Sequence, residues 1–265
     1  MAVAVSPWSW TAASLHPEVI FACGALAALW AWAWLRQGRR PPPGQAARFL
    51  GGLGALVLAL NGPLHDLSDG YLFSAHMVQH LVLTLVVPPL LLTGVPDFMM
   101  DALLRPCLAR RVPAAIARTL TQPLPAFAAY AVAMIGWHLP GPYSTALEIH
   151  GLHVVEHLVL MAAAMLGWWP IVSPSRLLPP PPYAAQLLYL FVFGMPMTVV
   201  AAMITAAEEV LYPFYEAAPR ITSLTPIADQ RLGGVIMWVP SGLIPLLAFT
   251  VIFFRWAAAE ADEPA

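Results

Sequence analysis

Apolar residues gather in seven long runs, at 17–35, 47–62, 72–92, 124–140, 149–172, 183–207 and 232–255, with short polar or proline-rich stretches between them. A hydrocarbon core of about 30 Å needs roughly 20 apolar residues wound as a helix, so each run is expected to cross a membrane. The second run is short and glycine-rich (Gly51, Gly52, Gly54), and the fourth is also short. No internal repeat or composition break divides the chain. The expectation is an all-α, polytopic transmembrane helix bundle forming a single integral membrane domain over residues 1–265.

Composition agrees. The chain is 60% hydrophobic and 10% charged, whereas soluble domains are about 45–50% apolar and about 25% charged. A net charge of −2 gives no reason to expect a nucleic-acid partner. The first basic residue is Arg36, so the positive region of a cleavable signal peptide is missing and the first run is expected to be retained. There is no lysine; all 12 basic residues are arginine. Arg36, Arg39, Arg40, Arg48, Arg105, Arg110, Arg111, Arg118, Arg176 and Arg255 fall on one side of a seven-span arrangement, and only Arg220 and Arg231 on the other. Positive residues favour the cytoplasm, which predicts an outside N-terminus and a cytoplasmic C-terminus. Trp8, Trp10, Trp30, Trp32 and Trp34 suit the interfacial belts.

With that orientation, all eight histidines fall near the outer side: His16, His65, His76, His80, His138, His150, His153 and His157. His76 and His80 are spaced i, i+4, and His153 and His157 repeat the spacing, so each pair shares a helix face. His150, seven residues before His157, and Met161 lie on the same stripe. If the third and fifth spans pack together, three or four imidazole nitrogens meet at one depth. Ionisable groups at membrane depth are expensive and point to function. Imidazole with a thioether from Met77, Met161 or Met195 suits copper better than magnesium or calcium.

Asp66 follows His65 and is expected either to ligate the ion or to orient a ring nitrogen. Glu156 falls beside the His153–His157 stripe and reads as a partner or water contact. His138 either caps the site or anchors the interface with Trp137. Asp229 and Arg231 are expected to pair and fix the outer end of the last helix, where Gly233 and Gly234 allow close approach. The phosphate-loop and GxSxG patterns are absent. His153–His157 reads HVVEH, a short match to an inverted zinc-protease motif.

Pro63-Leu64-His65-Asp66, His76-Met77-Val78-Gln79-His80 with Pro88-Pro89-Leu90, Gly167-Trp168-Trp169-Pro170 and Asp229-Gln230-Arg231-Leu232-Gly233-Gly234 together resemble the CtaG-type cytochrome c oxidase assembly proteins. The resemblance covers roughly residues 15–255. It implies a multi-pass bacterial plasma-membrane assembly factor that supplies copper to haem–copper oxidase. The metal set it implies is His65, Asp66, His76, His80, His150, His153 and His157. Oxidase subunits and the bilayer are the expected partners, a homo-oligomer is compatible, and no enzymatic role is implied. The competing reading is a haem- or quinone-binding redox protein, with paired histidines as axial ligands. A metal or proton transporter fits less well, because Leu81–Leu92 and Leu158–Leu166 are apolar.

Overall fold

The computed structural model describes residues 14–261; Trp8 and Trp10 lie outside them. The described residues contain helices and connections and no strand. The membrane-length helices are α1 (Pro17–Arg36), α2 (Pro43–Leu60), α4 (Phe73–Gly94), α9 (His150–Val172), α10 (Tyr183–Ala206) and α12 (Pro226–Ala261). Between them run shorter helices: α3 (Pro63–Gly70), α5 (Asp97–Leu108), α6 (Arg111–Leu120), α7 (Pro123–His138), α8 (Pro140–Glu148) and α11 (Pro213–Ala217).

Among the described residues, six helices are therefore long and apolar enough to cross a membrane, one fewer than the seven expected. The fourth expected span is α7, and its 16 residues reach only about 24 Å at 1.5 Å per residue. It stops at His138 because Leu139 takes an extended backbone before Pro140, which opens α8. α7 nevertheless brings the chain from the arginine-rich α6 back to the end where α4 and α9 begin. Its Tyr130 packs against Gly167 of α9 and stacks on Phe193 of α10.

The outer surface of the bundle carries large apolar side chains with no protein cover, among them Phe21, Leu58, Leu124, Phe191 and Phe254, as a surface facing lipid would. Inside, one cluster joins α4, α7, α9, α10 and α12 around Phe73, Tyr130, Leu160, Trp168, Phe193 and Met237. A second joins α1, α2 and α4 around Trp30, Phe49, Leu53 and Leu83. Between α2 and α3, Gly62 adopts φ +76° with ψ −157°, a backbone region essentially limited to glycine. At the other end of α4, a Cβ on Gly94 would lie 2.5 Å from the Phe49 amide nitrogen. The bare glycine allows α2 to close on α4, and Trp30 Nε1 donates to the Gly94 carbonyl at 3.1 Å.

Two contacts set the register of α4. A π-turn at Val82–Val86 interrupts its α-helical ladder. Pro88 and Pro89 have no N–H to give the carbonyls one turn back, and Trp168 Nε1 of α9 donates to the Thr84 carbonyl at 3.0 Å. Trp168 thus fills the acceptor that Pro88 leaves free, while Trp169 Nε1 donates to the Leu178 carbonyl at 3.1 Å. At the opposite end, Asp229 does not pair with Arg231 as expected. Its buried carboxylate accepts from the Phe73 amide at 2.8 Å, the Ser74 amide at 3.3 Å and the Ser74 hydroxyl. It thus caps the first turn of α4, whose N–H groups have no intrahelical partner. Arg231 donates instead to the Ala207 carbonyl. Gly233 permits this approach, since a Cβ there would overlap Phe73.

Candidate metal centre

With α4 capped at one end and pinned to α9 one turn past His80, the two histidine pairs face each other. Ring centroids lie 5.3 Å apart for His76–His153, 5.8 Å for His76–His157 and 5.3 Å for His80–His157. All four residues are buried. One nitrogen each from His76, His80 and His157 lie within 4.8 Å of one another, and His76, His153 and Glu156 form a second such set.

The surrounding hydrogen bonds orient the rings. Tyr215 of α11 gives its single proton to the Ser68 carbonyl at 2.6 Å. At its 2.8 Å contact with His76 Nδ1 it must therefore accept, so His76 carries its proton on Nδ1. His138 Nδ1 donates to the Met134 carbonyl at 2.7 Å, which leaves His138 Nε2 as an acceptor. His80 Nδ1 then donates to it at 3.3 Å. Both relays leave Nε2 lone pairs on His76 and His80, aimed at each other across 2.8 Å. A shared cation satisfies that arrangement, whereas two lone pairs alone repel.

The remaining donors point the same way. His153 Nε2, His157 Nε2 and both Glu156 carboxylate oxygens are buried and have no hydrogen-bond partner among the described residues. Glu156 Oε1 lies 3.9 Å from His80 Nε2, and Oε2 lies 4.0 Å from His153 Nε2. Buried polar atoms normally find partners, so unpaired ones gathered in two sets that share His76 are what an ion would satisfy. With ligand bonds of about 2.0 Å, tetrahedral donors sit about 3.3 Å apart, between the 2.8 Å and 4.8 Å limits found here. Neutral imidazoles with one carboxylate suit a first-row transition metal.

His153 Nδ1 lies 3.5 Å from Asp69 Oδ2 of α3, and His65 Nε2 lies 3.4 Å from the same oxygen. Gln79 donates to His65 Nδ1 at 3.1 Å and to the Ala59 carbonyl at 2.8 Å. Asp69 thus lies beside the outer nitrogen of His153, away from the centre, in the place where a carboxylate commonly backs a metal-binding histidine. Burial pushes the Asp69 carboxyl up to about 7 and the His65 imidazole down to about 4. The positive potential of His16 adds to the His65 effect.

Of the seven residues expected at the site, His76, His80, His153 and His157 come together. His65 stands one layer out, on Asp69. Asp66 is turned away, its carboxylate accepting from the Ser14 amide at 2.9 Å. His150 is exposed and stacks with His16 at 6.5 Å. Glu156, beside the stripe in sequence, lies inside. An i, i+3 step rotates only about 60° from His153, and α4 packs over the face that both residues share. Asp69, one of the acids on the outer side, and Tyr215 carry no spacing signal, and only tertiary packing brings them in. His138 takes the capping option, and Tyr212 donates to its carbonyl at 2.8 Å. Met77 packs beside Gly233, Met161 packs with the α1–α2 cluster, and Met195 is partly exposed.

The sequence signature described as cytochrome c oxidase caa3 assembly factor matches residues 26–259. Uncharacterized proteins of Mycobacterium bovis and Mycobacterium tuberculosis are each 26% identical over 244 residues, and one of Mycobacterium leprae is 24% identical. Each match covers 85% of this chain and 36% of the relative, so the chain spans about a third of the length of these relatives. No solved structure matches.

Proposed function

The chain belongs to the cytochrome c oxidase caa3 assembly factor family, and on that premise we propose that it holds a copper ion between α4 and α9 and passes it to an oxidase subunit. The observation that carries this reading is the convergence of oriented Nε2 lone pairs from His76 and His80 with the unpartnered atoms of His153, His157 and Glu156. Copper is the cargo and not a resident catalyst. Tyr215, His138 and Asp69 hold the imidazoles in the binding tautomer. More potential donors converge than one ion needs, so a ligand from a recipient protein can replace one of them without baring the ion.

We read the chain as one integral membrane unit of the bacterial plasma membrane. Seven crossings, an outside N-terminus and a cytoplasmic C-terminus suit both the arginine distribution and the return of α7 to the histidine end. The short α7 buries one face, through Ala126, Tyr130 and Met134, and leaves Leu124 and Val132 for lipid. The copper site then faces the periplasm. A haem between these rings is disfavoured: two imidazoles on one iron need centroids about 6 Å apart with a macrocycle between them, and here they lie 4.3–5.8 Å apart with their edges in contact.

The test is metal content and spectrum of the purified protein. Copper bound in simple proportion to protein, absent from the His76→Ala/His80→Ala variant, is the expected result, together with lower oxidase activity in cells carrying that variant. A Soret band, or unchanged copper in the variant, overturns the reading.

A further inference from the structure

A cavity of about 180 Å³ opens beside the centre, and its polar lining is His16, Glu18, His65, His150, His153 and His157. Its walls change from exposed to buried along one direction. His150 and Glu18 stand at the exposed mouth, His16 is partly covered, and His65, His153 and His157 are buried. The same two residues, His153 and His157, are thus shared by the cavity and the centre. Resting on the metal-binding reading above, we infer that this cavity is the access route for the ion, and that Glu18, His16 and His150 form a transient loading site at its mouth.

The geometry gives each residue a part. His16 Nδ1 meets Glu18 Oε1 at 2.9 Å, and the His16 ring stacks on His150 at 6.5 Å and meets His65 edge-on at 4.6 Å. An incoming cation therefore finds a carboxylate and the His150 imidazole in the open, with the partly covered His16 ring beside them and the next donors one ring farther in. The mouth is also built to stay in place. The His16 amide donates to Asn61 Oδ1 at 2.7 Å, the Gly62 amide to the Ser14 carbonyl at 2.9 Å, and the Ser14 amide to Asp66 at 2.9 Å. These bonds clip the start of α1 to the α2–α3 turn, which gives Asp66 a part in the mouth and not in the centre. The cavity has room for several waters, so an ion can shed its hydration shell gradually as imidazoles replace it. Transfer here is ligand exchange alone, with no change in oxidation state.

The test separates rate from capacity. Detergent-purified full-length protein is mixed with copper, presented in separate runs as Cu(I) under ascorbate and as Cu(II), and loading is followed by rapid mixing. The His16→Ala/His150→Ala variant is expected to load roughly tenfold or more slowly while reaching the wild-type stoichiometry. Because His16 lies in the clip, His150→Ala alone and the cavity-filling Val154→Trp serve as second variants. Both are expected to slow loading and leave final copper content unchanged. Wild-type rates in all three variants overturn the route. A lower final copper content in His150→Ala also overturns it, since that makes His150 a ligand of the centre. If wild-type protein takes up no copper at all, the metal-binding reading falls and the route falls with it.

Discussion

Tyr215→Phe removes one oxygen atom and tests the logic of the centre without touching a ligand. In the native structure Tyr215 donates to the Ser68 carbonyl and accepts from His76 Nδ1, so the His76 proton stays on the outer nitrogen. Without the phenol oxygen, nothing holds it there. The proton can move to Nε2 and be donated to His80 Nε2, only 2.8 Å away. That alternative tautomer satisfies the metal-free protein and blocks the metal. The variant thus gains a competing empty state. Loss of such an outer partner typically weakens metal affinity 10- to 100-fold, or about 1.4–2.7 kcal/mol. The Ser68 carbonyl loses its partner too, at about 1–3 kcal/mol, which lowers the stability of both forms. A competition titration against chelators of graded affinity reads the first effect, and thermal unfolding in detergent reads the second. Unchanged affinity in Tyr215→Phe, alongside complete loss in His76→Ala, would refute the tautomer argument.

Asp229→Ala strips α4 of the carboxylate that accepts from two amides and a hydroxyl. We expect a loss of about 3 kcal/mol in unfolding experiments, with Asp229→Asn intermediate. Gly94→Ala forces a Cβ to within 2.5 Å of the Phe49 backbone and should cost at least 1–3 kcal/mol, whereas Gly51→Ala meets no neighbour and should be close to neutral by the same assay. The Asp69 and His65 shifts predict opposing pH effects in metal-free protein. Asp69 titrates near 7 when folded and near 3.8 when unfolded, so the folded state binds the extra proton and stability falls as pH rises through that window. His65 titrates near 4 when folded and 6.5 when unfolded, so stability rises from pH 4 to 6.5. Asp69→Asn should expose the rising limb and His65→Gln the falling one; an identical pH profile in both variants would contradict these assignments.

The spans and the two histidine pairs were legible because both depend on periodicity. An i, i+4 spacing fixes a shared face whatever surrounds the helix, and apolar runs follow the thickness of the solvent they cross. What could not be read was the side from which each helix is covered. Glu156 falls outside a strict i, i+4 stripe, while the packing of α4 draws its carboxylate inward. Tyr215 and Asp69 sit on helices of five and eight residues, and no pattern in such short elements tells which distant ring they will meet. Asp229 was noticed for the wrong partner. A neighbouring arginine is the natural guess in sequence, yet a bare helix end elsewhere in the fold offers three donors at once. The shortfall in α7 is a matter of two prolines: Pro123 opens the helix, and Pro140 begins the next one before a full crossing length is reached.

The bond between Asp229 and the start of α4 links residues 156 positions apart. During synthesis, the segment bearing His76 and His80 is made long before the carboxylate that steadies it, so the ring pair waits with a loose first turn until the last helix docks. On the proposed metal-binding reading, a half-made chain is a poor trap for the ion, and competence to hold it arrives together with completion of the bundle.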